Sequence, residues 1–99
     1  MIKGTTPRFT FKLPFAVDLL SNAKVTLRQG DIYLEKKLCD CETTENSLTV
    51  RLTQEETFMF ECKSFIKMQL RVLTENGDAL ATRVFEVYAK QCLDEEVLS

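Results

Sequence analysis

The sequence predicts a small all-β protein, an Ig-like β-sandwich of about six to seven antiparallel strands with one short helical turn. Three observations predict it. Short apolar runs alternate with polar residues at a period of two, which places successive side chains on opposite faces of a strand. Turn residues punctuate these runs at regular intervals. No stretch carries the apolar periodicity of a helix of ordinary length, and strands with turn signals but no long helices read as a sandwich or a small closed barrel.

The longest signal is a hairpin over 65–89. Ile66, Met68, Leu70 and Val72 alternate with Lys67, Gln69 and Arg71. Asn76-Gly77 follows, a pair that tolerates the positive φ of a tight turn. The return strand sets Phe85, Val87 and Ala89 against Glu86, Tyr88 and Lys90. A hairpin is not stable by itself, so other strands must cover its apolar face.

Upstream, Pro7 favours an extended lead-in. Phe9, Phe11 and Leu13 form a first strand that Pro14 stops, because proline cannot donate to a ladder. Over Phe15–Asn22 the period of two is lost, and a turn of helix or an irregular crossover is expected. Ala23, Val25 and Leu27 form a second strand, and Gln29-Gly30-Asp31 turns the chain into a third carrying Ile32, Leu34 and Leu38. Lys36 interrupts that apolar pattern and marks a bulge or a solvated strand end. Residues 39–46 form a polar connection, and Leu48, Val50 and Leu52 make a fourth strand. Thr53-Gln54-Glu55-Glu56 has the spacing of a capping box, so a helical turn is expected over 54–57. Phe58, Met59 and Phe60 are then expected to re-enter the core.

The expected core is Phe9, Phe11, Leu13, Val25, Leu27, Leu34, Leu48, Val50, Leu52, Ile66, Met68, Leu70, Val72, Phe85 and Val87. The other phenylalanines, including Phe65, fall at or beside inward positions, which leaves Tyr33 and Tyr88 as outward rings. The 99 residues suit one domain, with 1–6 and 94–99 expected to fray.

Composition narrows the function. At 44% hydrophobic and 28% charged, the chain resembles an ordinary globular protein. Its formal charge is −2 with lysine and arginine dispersed, so nucleic acid is not the expected partner. No apolar run reaches membrane-spanning length, and no signal-peptide core follows Met1. The expected location is therefore the cytoplasm, with the cysteines reduced. The chain has no histidine, which removes the commonest general base and metal ligand. A serine or cysteine nucleophile would find no imidazole to activate it. Carboxylate runs such as Glu55-Glu56 and Asp94-Glu95-Glu96 read as caps and solvated charge. No catalytic or cofactor-binding residue is assigned.

The cysteines are the one candidate metal set. Cys39 and Cys41 form a C-x-C pair whose side chains would face one way in an extended segment. Together with Cys62 and Cys92 they could complete a tetrahedral zinc site. The alternative is four small thiols that behave as hydrophobes. Because Cys62 and Cys92 are each single, where zinc modules use two close pairs, no metal is expected.

The segments Thr6-Pro7-Arg8-Phe9-Thr10-Phe11-Lys12-Leu13-Pro14-Phe15, Leu52-Thr53-Gln54-Glu55-Glu56-Thr57, Met68-Gln69-Leu70-Arg71-Val72 and Gly77-Asp78-Ala79-Leu80-Ala81 carry a resemblance. In content and order the chain resembles small proteins encoded in phage and prophage structural clusters of Gram-positive gut bacteria. More distantly, it is similar to the Ig-like N-terminal domain of phage baseplate upper proteins. The cysteines are not part of that pattern. The resemblance implies a non-enzymatic virion, tail or baseplate assembly component, located in the virion once assembled. Its implied partners are other phage structural proteins or copies of itself, and an oligomer is allowed. A carbohydrate-binding or carbohydrate-active sandwich is the alternative. The expected interface lies around Val84, Glu86 and Tyr88, a mostly uncharged stretch on the final strand, acting by strand addition or face packing.

The metal expectation has a direct test. Protein purified without chelator should contain no stoichiometric zinc by atomic emission. One equivalent per chain, lost in Cys39→Ser, would overturn it.

Overall fold

The computed structural model describes residues 1–98. Two antiparallel sheets pack over one core. The smaller sheet holds β1 (Arg8–Lys12), β5 (Ser47–Arg51) and β4 (Glu42–Thr43), in the order β1-β5-β4. The larger holds β3 (Ile32–Lys37), β2 (Leu20–Gln29) and β6 (Ser64–Thr74), with β7 (Ala79–Ala81) and β8 (Phe85–Ala89) both pairing with β6. The helical turn α1 (Gln54–Phe58) lies between β5 and β6. The expected all-β sandwich is present. Its pairing has its own order: β2 and β3 form a hairpin within one sheet, whereas immunoglobulin constant domains place the second and third strands in opposite sheets.

The register explains the burial. β2 and β6 pair with Val25 opposite Leu70 and Leu27 opposite Met68, and all four side chains are buried. On the smaller sheet Phe11 pairs with Leu48 and Phe9 with Val50. These inward rows form the core together with Leu13, Leu52, Ile66 and Val72. Phe9, Leu34, Phe85 and Val87 are only partly buried but pack against it. Leu20, Ala23 and Ala89 are core residues outside the expected set. Of the Phe58–Phe60 stretch only Phe60 is buried, and Met59 is exposed. Across the sheets, Phe11 and Phe85 meet with ring centroids 6.0 Å apart, which places β1 over β8.

The connection after β1 contains the expected turn of helix, a 3-10 turn at Val17–Leu19. Another, at Leu38–Asp40, takes in Leu38, expected on the third strand, and leads into the polar connection, which also holds β4, too short and too polar to show in the sequence. The capping box is complete. The Glu56 amide donates to Thr53 Oγ1 at 3.2 Å, and the Thr53 amide donates to Glu56 Oε1 at 2.8 Å. The second carboxylate oxygen of Glu56 meets Lys36 Nζ at 2.7 Å.

Lys36 therefore makes no bulge. It keeps its inward place in β3, paired with Val25, and the ion pair is what accommodates its charge. An inward charge on an edge strand also disfavours pairing with another chain.

The return strand is interrupted at Thr82-Arg83-Val84. Across that break the register against β6 slips by one residue: Arg71 pairs with Ala81, but Met68 pairs with Phe85. One extra residue on one strand is a bulge. Thr82 repairs the ladder there. Its amide donates to Leu70 O at 2.9 Å, its hydroxyl accepts from the Leu70 amide at 3.1 Å, and its carbonyl accepts from Gln69 Nε2 at 2.8 Å.

Residues 1–4, 95 and 98, within the segments expected to fray, make contacts with the rest of the molecule, and Ser99 lies outside the described residues. Ile2 bridges Lys90 in parallel, the Lys3 amide donates to Lys90 O at 3.1 Å, and the Lys90 amide donates to Met1 O at 2.7 Å. The Gly4 amide donates to the buried Thr57 hydroxyl at 2.8 Å. Gly4 has φ +82°, and a Cβ there would meet the Phe58 ring at 2.7 Å, so only glycine fits. Downstream, Lys3 pairs with Glu95 at 3.3 Å, and the Gln54 side-chain amide exchanges two hydrogen bonds with the Leu98 backbone at 2.8 and 2.9 Å.

Two stability predictions follow from these contacts. Leu70→Ala, at a side chain only 1% exposed, should lower unfolding stability by about 3 kcal/mol in urea titration. The second concerns Glu56. Partial burial raises its pKa, but the hydrogen bonds from Lys36 and Thr53 outweigh this and hold it below the ordinary 4.5. A depressed folded-state pKa contributes stability that is complete above the unfolded value and is lost as pH falls through the folded one. Glu56→Gln should therefore cost about 1 kcal/mol at neutral pH. The difference from wild type should close in acid, below 4.5.

Candidate interaction surface

The larger sheet has an inner face on the core and an outer face free of other elements of the sandwich. Alternation in β6 sends Ile66, Met68, Leu70 and Val72 inward and Phe65, Lys67, Arg71 and Leu73 outward. Phe65, expected at or beside an inward position, is thus an outward ring, 54% exposed. The alternation Phe65-Ile66-Lys67 held that signal, and an aromatic at the head of a strand obscured it.

Phe65 pairs directly with Tyr88 of β8, and the rings meet edge-to-face with centroids 5.1 Å apart. Tyr88 is 40% exposed. Glu86 also faces outward, in register with Lys67. Val84 lies in the bulge, 51% exposed. The three expected interface residues are therefore all at the surface, and Phe65 joins them. On the far edge Tyr33 is 45% exposed and donates its hydroxyl to Glu35 at 3.2 Å. Glu35 also accepts from Lys24. Desolvation raises the Glu35 pKa, and these two hydrogen bonds outweigh it and lower the pKa.

The edge beyond β8 is partly occupied. The Met1 amino nitrogen donates to Tyr88 O at 2.8 Å, and residues 1–3 run alongside Tyr88–Lys90. An added strand would find those backbone groups taken.

The cysteines are dispersed. Cys39 is exposed on the 3-10 turn, and Cys41 is half-buried with its thiol directed to Lys37 O at 3.3 Å. Cys62 precedes β6, and the Cys92 thiol reaches Asp94 O at 3.0 Å. Burial, reinforced by Asp40, pushes the Cys41 thiol up, away from the thiolate a metal would take. Among the described residues no three His, Cys, Asp or Glu side chains are grouped to hold an ion.

A shallow apolar cleft of about 280 Å³ opens between the sheets, lined by Leu13, Phe15, Leu70, Val72 and Leu80. It has no charged side chain other than Lys12. Among the described residues no helix is long and apolar enough to cross a membrane. Comparison with family models, curated proteins and solved structures finds no match to this chain.

Proposed function

We propose that this chain is a non-enzymatic interaction module whose contact surface is the outer face of the larger sheet around Phe65, Val84, Glu86 and Tyr88. In the setting the family resemblance implies, it serves as an assembly component of a phage virion, tail or baseplate. Its partners there are other phage structural proteins or copies of itself. The observation that carries the contact surface is the exposed Phe65–Tyr88 pair, with exposed Val84 four residues before Tyr88 on the same return strand. Aromatic rings with much of their surface in water are the residues interfaces bury at their centres. Face packing is favoured over strand addition, because residues 1–3 already lie along the end of β8 and the bulge interrupts the rest of that edge.

One observation favours the carbohydrate reading: Tyr33, Phe65 and Tyr88 give three exposed rings where the sequence suggested two. Retardation of the protein in polysaccharide-containing native gels, lost in Tyr88→Ala, would transfer the function to that class.

The contact reading is tested with Val84→Lys combined with Tyr88→Lys. Light scattering and co-purification should show wild-type association reduced in the double variant, with an unchanged far-UV circular dichroism spectrum. A monomeric, partner-free wild type, or a variant that assembles unchanged, would refute it.

A further inference from the structure

The outer face is also a basic face. The register places Arg28 opposite Lys67, and Lys24 opposite both Lys37 and Arg71. Like charges directly opposite each other across strands are destabilising. The face therefore holds three such pairings against its own stability. Of its two carboxylates, Glu35 is taken up by Lys24 at 3.2 Å, and Glu86 lies at the edge in register with Lys67. Among the described residues Arg28, Lys37, Lys67 and Arg71 have no carboxylate within ion-pair distance.

These cations come from three strands and are dispersed in the sequence, where no basic stripe is visible. The chain as a whole carries −2, so the rest of the molecule is acidic. A long polyanion would meet that repulsion beyond the sheet, whereas a short acidic segment fits within one screening length, about 8 Å at physiological salt.

The chain itself contains such a segment. Leu93-Asp94-Glu95-Glu96-Val97-Leu98 joins three carboxylates to exposed aliphatic side chains, with Leu93 fully exposed and Leu98 73% exposed. Its own anchors are the pairing of exposed Glu95 with Lys3 and the exposed hydrogen bonds of Leu98 with Gln54. The face has the matching order of chemistry: basic rows, then beyond the Arg28–Lys67 row the exposed rings of Phe65 and Tyr88.

Resting on the reading of this face as a contact surface, we infer that its occupant is the acidic segment Leu93–Leu98 of a second copy. The carboxylates lie over the basic rows and the aliphatic end lies against Phe65 and Tyr88. Because donor segment and acceptor face are different surfaces, the contact is heterologous, and copies add head to tail into rings or open chains.

The test uses a fluorescein-labelled peptide Leu-Asp-Glu-Glu-Val-Leu, titrated with the full chain and followed by anisotropy. It should bind, weaken as salt is raised, and lose about tenfold or more in affinity to an Arg28→Glu, Lys67→Glu double variant of unchanged circular dichroism. The charge-neutral Lys67→Gln should fall between. No binding, binding indifferent to these variants, or tighter binding of labelled oligothymidylate would overturn the inference. If association of the whole chain is lost in the Val84→Lys, Tyr88→Lys variant but not in Arg28→Glu, Lys67→Glu, the contact surface stands and the acidic occupant falls. If neither variant alters association, both readings fall.

Discussion

The antiparallel ladder between β2 and β6 is the constraint on which the rest of the molecule depends. These are the two longest strands, and beyond an irregularity between Leu20 and Asn22 they pair in one register from Asn22 with Leu73 to Arg28 with Lys67. Once that register is set, Val25, Leu27, Met68 and Leu70 must face the core, because a slip by one residue would turn every one of them to water. The same choice fixes the outer face. The inward rows bury apolar surface worth roughly 25 cal/mol per Å². That gain offsets the electrostatic cost of setting Arg28 against Lys67 and Lys24 against Arg71. The core and the basic face are thus two consequences of one alignment.

Much of the fold was legible for the same reason. A period of two in Ile66–Val72 or in Ala23–Leu27 states both the strand and its buried side. The capping box at Thr53–Glu56 states where the helical turn starts. What stayed hidden depends on partners distant in the chain. Lys36 reads locally as a flaw, and only the carboxylate of Glu56, twenty residues on, makes an inward lysine tolerable. β4 is recognisable only by its pairing with β5, because two residues carry no period. The bulge at Thr82–Val84 appears only when both halves of the return strand are aligned on β6.

The candidate surface divides in the same manner. Val84, Glu86 and Tyr88 follow from alternation along one strand and could be named from it. The basic rows could not, since Lys24, Arg28, Lys37, Lys67 and Arg71 become neighbours only through two separate strand pairings. Net charge hides them as well: a sheet can hold like charges on one side while loops and the acidic segment reverse the total. Phe65 shows the opposite error, a hydrophobic residue whose chemistry suggested burial and whose place in the alternation sends it out.

The strand-like contact between Met1–Lys3 and Lys90 joins parts of the chain almost its full length apart. Closing so large a loop costs entropy that no local contact offsets, so this seam belongs to the end of folding. During synthesis Lys90 emerges long after Met1, and until it does the leading residues have no β8 to lie against. The Tyr88–Lys90 stretch of the larger sheet's border is consequently uncovered until Lys90 has been made, and covered once the two segments pair. Once Met1–Lys3 lie along Tyr88–Lys90, the outer face of that sheet stays open where that stretch of its edge does not.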